Sequence, residues 1–298
     1  MSNRPGQKIR IDGFDAMFGV SNEETAMDIE IYKIYGFAGH PFKVIDDEKM
    51  IELVESIKAN NILSPVLVRP KKNDTYEMIS GHRRLHAAKI AGLKSIPAII
   101  RELSDDEATI AMVDANIQRE ELLPSERAYA FKMKMDAMNR QGSRQDLTSR
   151  QNVEKLSSEK IGEESNMSGR QVQRFIRLTE LIPELLELVD TKKLNFTVAV
   201  DVSYIDKEIQ EWLNEYICDN GTIKANQISE LRKAIAIGPV TREDVIMILD
   251  NVKQNKKVSG KFNISEKELR GYFPPEYSGD DMKAVILELL KRWKNENE

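Results

Sequence analysis

Between Thr75 and Ile100 the chain reads TYEMISGHRRLHAAKIAGLKSIPAII. Thr75 to Ser80 is a short strand, Leu85, Ala88 and Ile90 recur at helical spacing, Gly92 stops that helix, and SIPAIIREL returns to a strand. Working towards the N-terminus, PVLVRP (Pro65 to Pro70) is a β-branched strand joined through the turn KKND, and EKMIELVESIKAN places Met50, Ile51, Val54 and Ile57 on one helical face. Towards the C-terminus, Ser104-Asp105-Asp106-Glu107 is a capping box that opens a helix through Ile110, Met112 and Val113. Strand, strand, helix, strand and helix make a compact α+β unit.

After Pro124 every strong pattern is helical, apart from the polar stretch Arg140 to Asn152, which reads as a linker. The predicted organisation is a flexible N-terminal arm over 1–36, the α+β domain over 37–123, an all-α domain over 124–238 and a short helical C-terminal region over 239–298, with Gly238-Pro239 at the last boundary. The final helix aligns Met282, Val285, Ile286, Leu289, Leu290 and Trp293 in an apolar stripe that fits its own core or a second subunit.

With 298 residues, 41% hydrophobic and 31% charged, the chain reads as globular rather than disordered. Its single cysteine, Cys218, excludes an intrachain disulfide, and a reducing cytoplasm fits best. Neither a signal peptide nor a membrane span is expected, because no apolar run is long enough. The net charge of -5 argues against bulk coating of nucleic acid, but it is uneven. Arg127 to Arg177 holds eleven Lys or Arg against six Asp or Glu, a local +5 that leaves -10 on the remainder. That asymmetry fits one module facing phosphate.

SEKIGEESNMSGRQVQRFIRL (Ser158 to Leu178) reads as a helix-turn-helix, with Ile161 in the core, Gly162 at a close helix crossing, Asn166 in a left-handed turn and Met167 plugging it. Ser168 caps the second helix, whose Val172, Phe175 and Ile176 face inward while Arg170, Gln171, Gln173 and Arg174 face outward. Arg and Gln read guanine and adenine edges in the major groove, so these residues, with Ser168 and Arg177, form a candidate DNA-binding surface.

Gly81-His82-Arg83-Arg84 places a glycine at a strand-to-helix junction, where backbone N–H groups and two arginines suit an anion. No Walker loop or dinucleotide fingerprint accompanies it. Asn116, Gln118 and Arg119 can add a metal-coordinating amide oxygen and a further phosphate contact. His82 and His86 share a helical face, which with His40 allows a zinc site, against a role as anion or base contacts. The pairs Asp46-Asp47, Asp105-Asp106 and Asp280-Asp281 sit at helix starts, where capping explains them better than acid-base chemistry.

YEMISGHRRLHAAKIAGLKSIPAII resembles the GERRxRAA box of the ParB/Spo-type chromosome and plasmid partition family, and DANIQREELLPSERA resembles its ENxQR box with the NPxEEA segment that follows. HPFKV and LVESIKANNILSPVLVRP stand where that family has its first box, and the resemblance covers about residues 37 to 205. It implies a ParB/sulfiredoxin-like N-terminal domain that binds CTP with Mg²⁺, a helix-turn-helix DNA-binding domain, and homodimers that close as a sliding clamp after loading on double-stranded DNA at a centromere-like site. A Walker-type partition ATPase is an implied partner, and a nucleoid- or plasmid-associated location follows.

Residue by residue, Gly81, Arg83 and Arg84 match the phosphate box, Asn116 matches the metal-coordinating Asn, Gln118 and Arg119 complete the third box, and Ser64 and Pro65 stand at the Gln-Pro of the first. His82 replaces a Glu, His86 an Arg, and Ala115 the Glu linked to hydrolysis, so nucleotide binding is better supported than turnover by a weak CTPase. Sulfiredoxin chemistry lacks its cysteine at position 82. The alternatives are a sequence-specific transcription regulator with weak or no nucleotide turnover, and a kinase or nuclease on the same fold.

Overall fold

The computed structural model describes residues 26–119, 122–143, 150–255 and 269–297 of the protein. These fall into two compact units divided between Ile246 and Met247.

The first unit is built on a five-stranded mixed sheet. Its strands are β1 (Met27–Glu30), β2 (Ile34–Tyr35), β3 (Val66–Lys71), β4 (Thr75–Ser80) and β5 (Ser95–Ile100), in the order β1-β5-β3-β4-β2. β1 runs antiparallel to β5, β5 parallel to β3, β3 antiparallel to β4, and β4 parallel to β2. Asn73 and Asp74 take left-handed conformations in the β3–β4 turn, which these two residue types tolerate best after glycine. β1 and β2 lie inside the stretch expected to be an arm, so the sheet begins at Met27. The alternation of Met27, Ile29 and Ile31 carries that signal, with Ile29 and Ile31 buried.

Successive strand residues face opposite ways, and two cores result. On one side α1 (Glu48–Asn60) and α2 (His82–Ile90) cover Val66, Val68, Met78, Ile96 and Ala98 with Met50, Val54, Ile57, Leu85 and Ala88. Asp47 caps α1, accepting from the Met50 N–H at 2.9 Å. On the other side Ile79 meets α3 (Asp105–Ile117), α4 (Pro124–Ser143), α5 (Arg150–Glu164) and α6 (Gly169–Arg177). This cluster joins Met112, Val113 and Ile117 to Phe131, Ile161 and Val172, so one core continues across the boundary expected at 123/124. Ser104 and Glu107 form the capping box predicted for α3. Of the stretch expected to be a linker, Arg140 to Ser143 belong to α4 and Arg150 to Asn152 to α5; 144–149 lie outside the described residues.

Helices α7 (Pro183–Asp190), α8 (Phe196–Val202), α9 (Lys207–Asn220) and α10 (Ala225–Ile237) follow, and α11 (Arg242–Asn255) crosses the unit division. Gln210, almost fully buried, holds this bundle by accepting from the Ile182 N–H at 2.9 Å and donating to the Ile205 carbonyl at 2.8 Å. The second unit carries α12 (Gly279–Asn297), opened by Ser278 and Asp281, which cap each other's backbone N–H groups. Of the predicted apolar stripe, Met282 is buried, Val285 and Ile286 are half-buried, and Leu289, Leu290 and Trp293 are exposed. Among the described residues no helix is long and apolar enough to cross a membrane.

Candidate functional site

Gly81 ends β4 and caps α2 with φ of 110°, a left-handed conformation that favours glycine. A Cβ there would lie 2.5 Å from Val66 Cγ1 and 3.4 Å from Arg84 Nη2. Glycine is therefore required twice, by conformation and by the close approach of β3, and the Arg84 fork lies directly over the helix N-terminus. Ser64 and Pro65 hold it there, because both carbonyls accept from Arg84 Nη1 at 2.7 Å. Their place in the site is thus through backbone oxygens, which explains how Ser can stand at this position.

Arg83 turns the other way, onto the α1 cap, donating to Asp47 Oδ1 at 3.0 Å. His86 pairs with Asp46 Oδ1 at 2.7 Å. His82 instead stacks on His40, with ring centroids 3.7 Å apart. The two histidines of α2 therefore diverge, and among the described residues no group of three metal-ligating side chains forms, so the zinc alternative has no site there. At the end of α3, Asn116 is buried and donates to the Met112 carbonyl at 2.8 Å. Gln118 and Arg119 are exposed beyond it.

The electrostatics are those of an anion site. Burial, with Arg119 beside it, lowers the pKa of Arg84; Arg119, though its outer surface is exposed, is desolvated in part by the groups packed around it and is lowered further by Arg83. Among the described residues Arg119 forms no ion pair. Burial, His40 and Arg119 push His82 down to about 3, and burial and Arg119 lower His40. Cationic guanidinium groups thus gather near a helix N-terminus beside neutral imidazoles, an arrangement whose chemistry suits an anion.

Of the paired carboxylates, one member of each of two pairs caps a helix as its position predicts, while the Asp105-Asp106 pair and Asp46 hold basic side chains instead. Asp105 meets Arg69 at 2.7 Å, Asp106 meets Arg140 Nε at 2.7 Å, and Asp47 and Asp281 serve as caps.

The second site is the helix pair α5–α6. Asn166 adopts φ of 55°, and a Cβ on Gly162 would lie 2.6 Å from the Met167 carbonyl oxygen, so the tight turn depends on both. Ser168 caps α6, and its N–H is capped in return by Gln171 Oε1 at 2.9 Å. Val172 is fully buried, and Phe175 and Ile176 pack against the same core. Arg170, Gln171 and Gln173 are exposed, although the Gln171 carbonyl oxygen is taken by the cap. Arg174 lies over the Phe196 ring and donates to Thr197 Oγ1 at 3.1 Å. Arg177 stacks 4.0 Å from the Tyr204 ring and bonds the Ser203 carbonyl. These last two arginines are held by α8 and the turn after it.

Sequence reasoning missed Lys134, which is buried on α4 and pairs with Asp114 of α3 and Glu164 of α5. Burial pushes the Asp114 carboxyl up although Lys134 pulls it down. The available signal was a lysine at the 131/134/135 positions of the apolar face of FKMKM.

The chain is similar to known proteins. Residues 18–117 match the family model described as the ParB N-terminal domain. Chromosome-partitioning protein Spo0J of Thermus thermophilus is 30% identical over 199 residues, 67% of this chain and 67% of that one. For several other curated relatives the match spans only 43–61% of their length. Two solved structures of C-terminally truncated ParB from Caulobacter crescentus, each 24% identical, align as well. One is complexed to the centromeric parS site and covers 70% of this chain and 99% of that one with a TM-score of 0.43. The other is complexed with CTP-gamma-S and covers 65% and 98% with a TM-score of 0.30. By the family model and the Thermus relative together, the chain belongs to the ParB/Spo0J family of chromosome-partitioning proteins.

Proposed function

We propose that this protein is a centromere-binding partition protein, a CTP-responsive dimeric clamp on double-stranded DNA that serves the segregation of a chromosome, plasmid or mobile element. The observation that carries this reading is the Gly81 cradle with Arg84 Nη2 over it, in a unit whose core is continuous with the helix-turn-helix. A nucleotide triphosphate fits with its phosphates on the α2 N-terminus, met by Arg84 and Arg119. Mg²⁺, when bound, neutralises phosphate charge; Asn116 suits it because its amide nitrogen is committed to Met112, which fixes the orientation of the carbonyl oxygen.

For DNA, the exposed Arg170, Gln171 and Gln173 enter the major groove, while Arg174 and Arg177 stiffen the helix that presents them. The acidic remainder of the chain repels DNA away from this head, which suits a clamp that slides. Its place is on the nucleoid or plasmid, with a Walker-type ATPase as partner. Ala115 and His82 leave the site without the family's carboxylates, which favours binding over hydrolysis. They also support the second reading, a stationary transcription regulator.

Retention on a closed DNA circle bearing a selected site decides between them. A clamp stays on the circle in CTP and runs off a linear fragment; a regulator stays bound to both and ignores CTP.

A further inference from the structure

His40 and His82 stack at 3.7 Å, and the Nε2 atoms of both are buried with no hydrogen-bond partner. The ring of His40 bonds to the Phe42 backbone, which leaves Nδ1 as the atom used and, in the neutral tautomer, Nε2 as a bare lone pair. A buried polar atom without a partner is costly, and two in contact call for an explanation. A proton on one ring would satisfy one lone pair and create a donor. The groups around the pair oppose that in the free protein. Arg119 acts on both rings; Arg84 and Arg83 follow on α2; no carboxylate acts on either ring, and among the neighbouring ones Asp47 is taken by Arg83, while Glu126 accepts from the backbone N–H groups of Lys43 and Leu123 and acts on Arg119.

We propose that the stacked His40–His82 pair is a proton-linked contact of the polyphosphate: ligand and one proton bind together, the proton residing on the pair and its N–H facing the anion. The proposal rests on the reading of the α2 N-terminus as a phosphate site. A polyphosphate on Arg84 and Arg119 cancels the repulsion that keeps the imidazoles neutral and supplies the acceptor that their nitrogens lack. The sign follows from linkage. With His82 held near 3 when free and raised when bound, the complex carries the extra proton at neutral pH, so affinity falls as pH rises.

Calorimetric titration of the full chain with CTP and Mg²⁺ in two buffers of different ionisation enthalpy counts the protons. The comparison is with His82→Gln and, separately, His40→Gln, so that the protons of the nucleotide itself cancel and a folding defect in one variant leaves the other. Wild type is expected to take up roughly half to one proton more than either variant and to lose affinity with rising pH by up to about tenfold per unit more steeply. Equal proton counts with CTP still bound would overturn the inference and leave the nucleotide reading standing. Inorganic tripolyphosphate separates the other failure: if it binds with the extra proton while CTP does not bind, the inference holds and the nucleotide reading falls. If neither binds, both fall.

Discussion

The Gly81 cradle and the α5–α6 reading head use arginine in opposite ways. At the cradle, backbone carbonyls of Ser64 and Pro65 hold Arg84 over the α2 N-terminus, where the proposed anion would sit, and Arg119 forms no ion pair among the described residues. At the head, Arg174 and Arg177 are spent on Phe196, Thr197, Ser203 and Tyr204, which leaves Arg170, Gln171 and Gln173 exposed for the proposed recognition of DNA. Local net charge marks only the head, since the cradle lies in the acidic remainder; the partners of each guanidinium are what separate a free group from a scaffold. Lys134 connects the two regions, since Asp114 lies two residues before Asn116 and Glu164 lies at the end of the first helix of the head.

The largest effect that tests this contrast is Gly81→Ala. A Cβ in collision with Val66 and a disfavoured φ cost about 2–5 kcal/mol together, read as the shift of a urea transition. Retention of wild-type stability would mean that the cradle is not tight. Gly162→Ala does the corresponding damage at the head, about 2 kcal/mol, with DNA affinity reduced on every sequence. Arg170→Ala should cost about 1–3 kcal/mol on the selected DNA site and little on unrelated DNA. In contrast, Arg177→Ala should lower the melting temperature first. Equal behaviour of the two arginines in both assays would erase the distinction drawn between them.

The smallest effect belongs to Asp114. Its pKa is raised in the folded state above the ordinary 3.8, so its contribution to stability is present below that value and is lost as pH rises through the folded pKa. Asp114→Asn removes this slope, so its unfolding free energy relative to wild type should improve as pH rises from about 4. An unchanged slope would place the titration elsewhere.

What could be read from the sequence was local. The turn at Asn166, the caps at Ser104 and Ser168 and the helix faces of α1 and α6 follow from residues within one or two turns of each other. The alternation of Met27, Ile29 and Ile31 marks β1 only weakly, because its partner, β5, lies far along the chain, with Ile29 opposite Ile96, and a four-residue strand offers few positions to repeat. His40 and His82 were both visible, but nothing in their spacing shows that they stack. Likewise the spacing of Arg174 points it outward, whereas its capture by Phe196, which leaves it half-buried, depends on a helix that arrives about twenty residues later.

The most direct test of the account is binding of CTP, ATP and GTP, each with Mg²⁺, to wild type and to Arg119→Ala, with and without the selected DNA. Arg119 suits this test because no ion pair is lost with it among the described residues. CTP is expected to bind in preference to the other two, more tightly when DNA is present, and Arg119→Ala to weaken it at least about tenfold, the loss of one charge-assisted contact. Equal binding of all three nucleotides, or CTP binding untouched by the substitution, would contradict it.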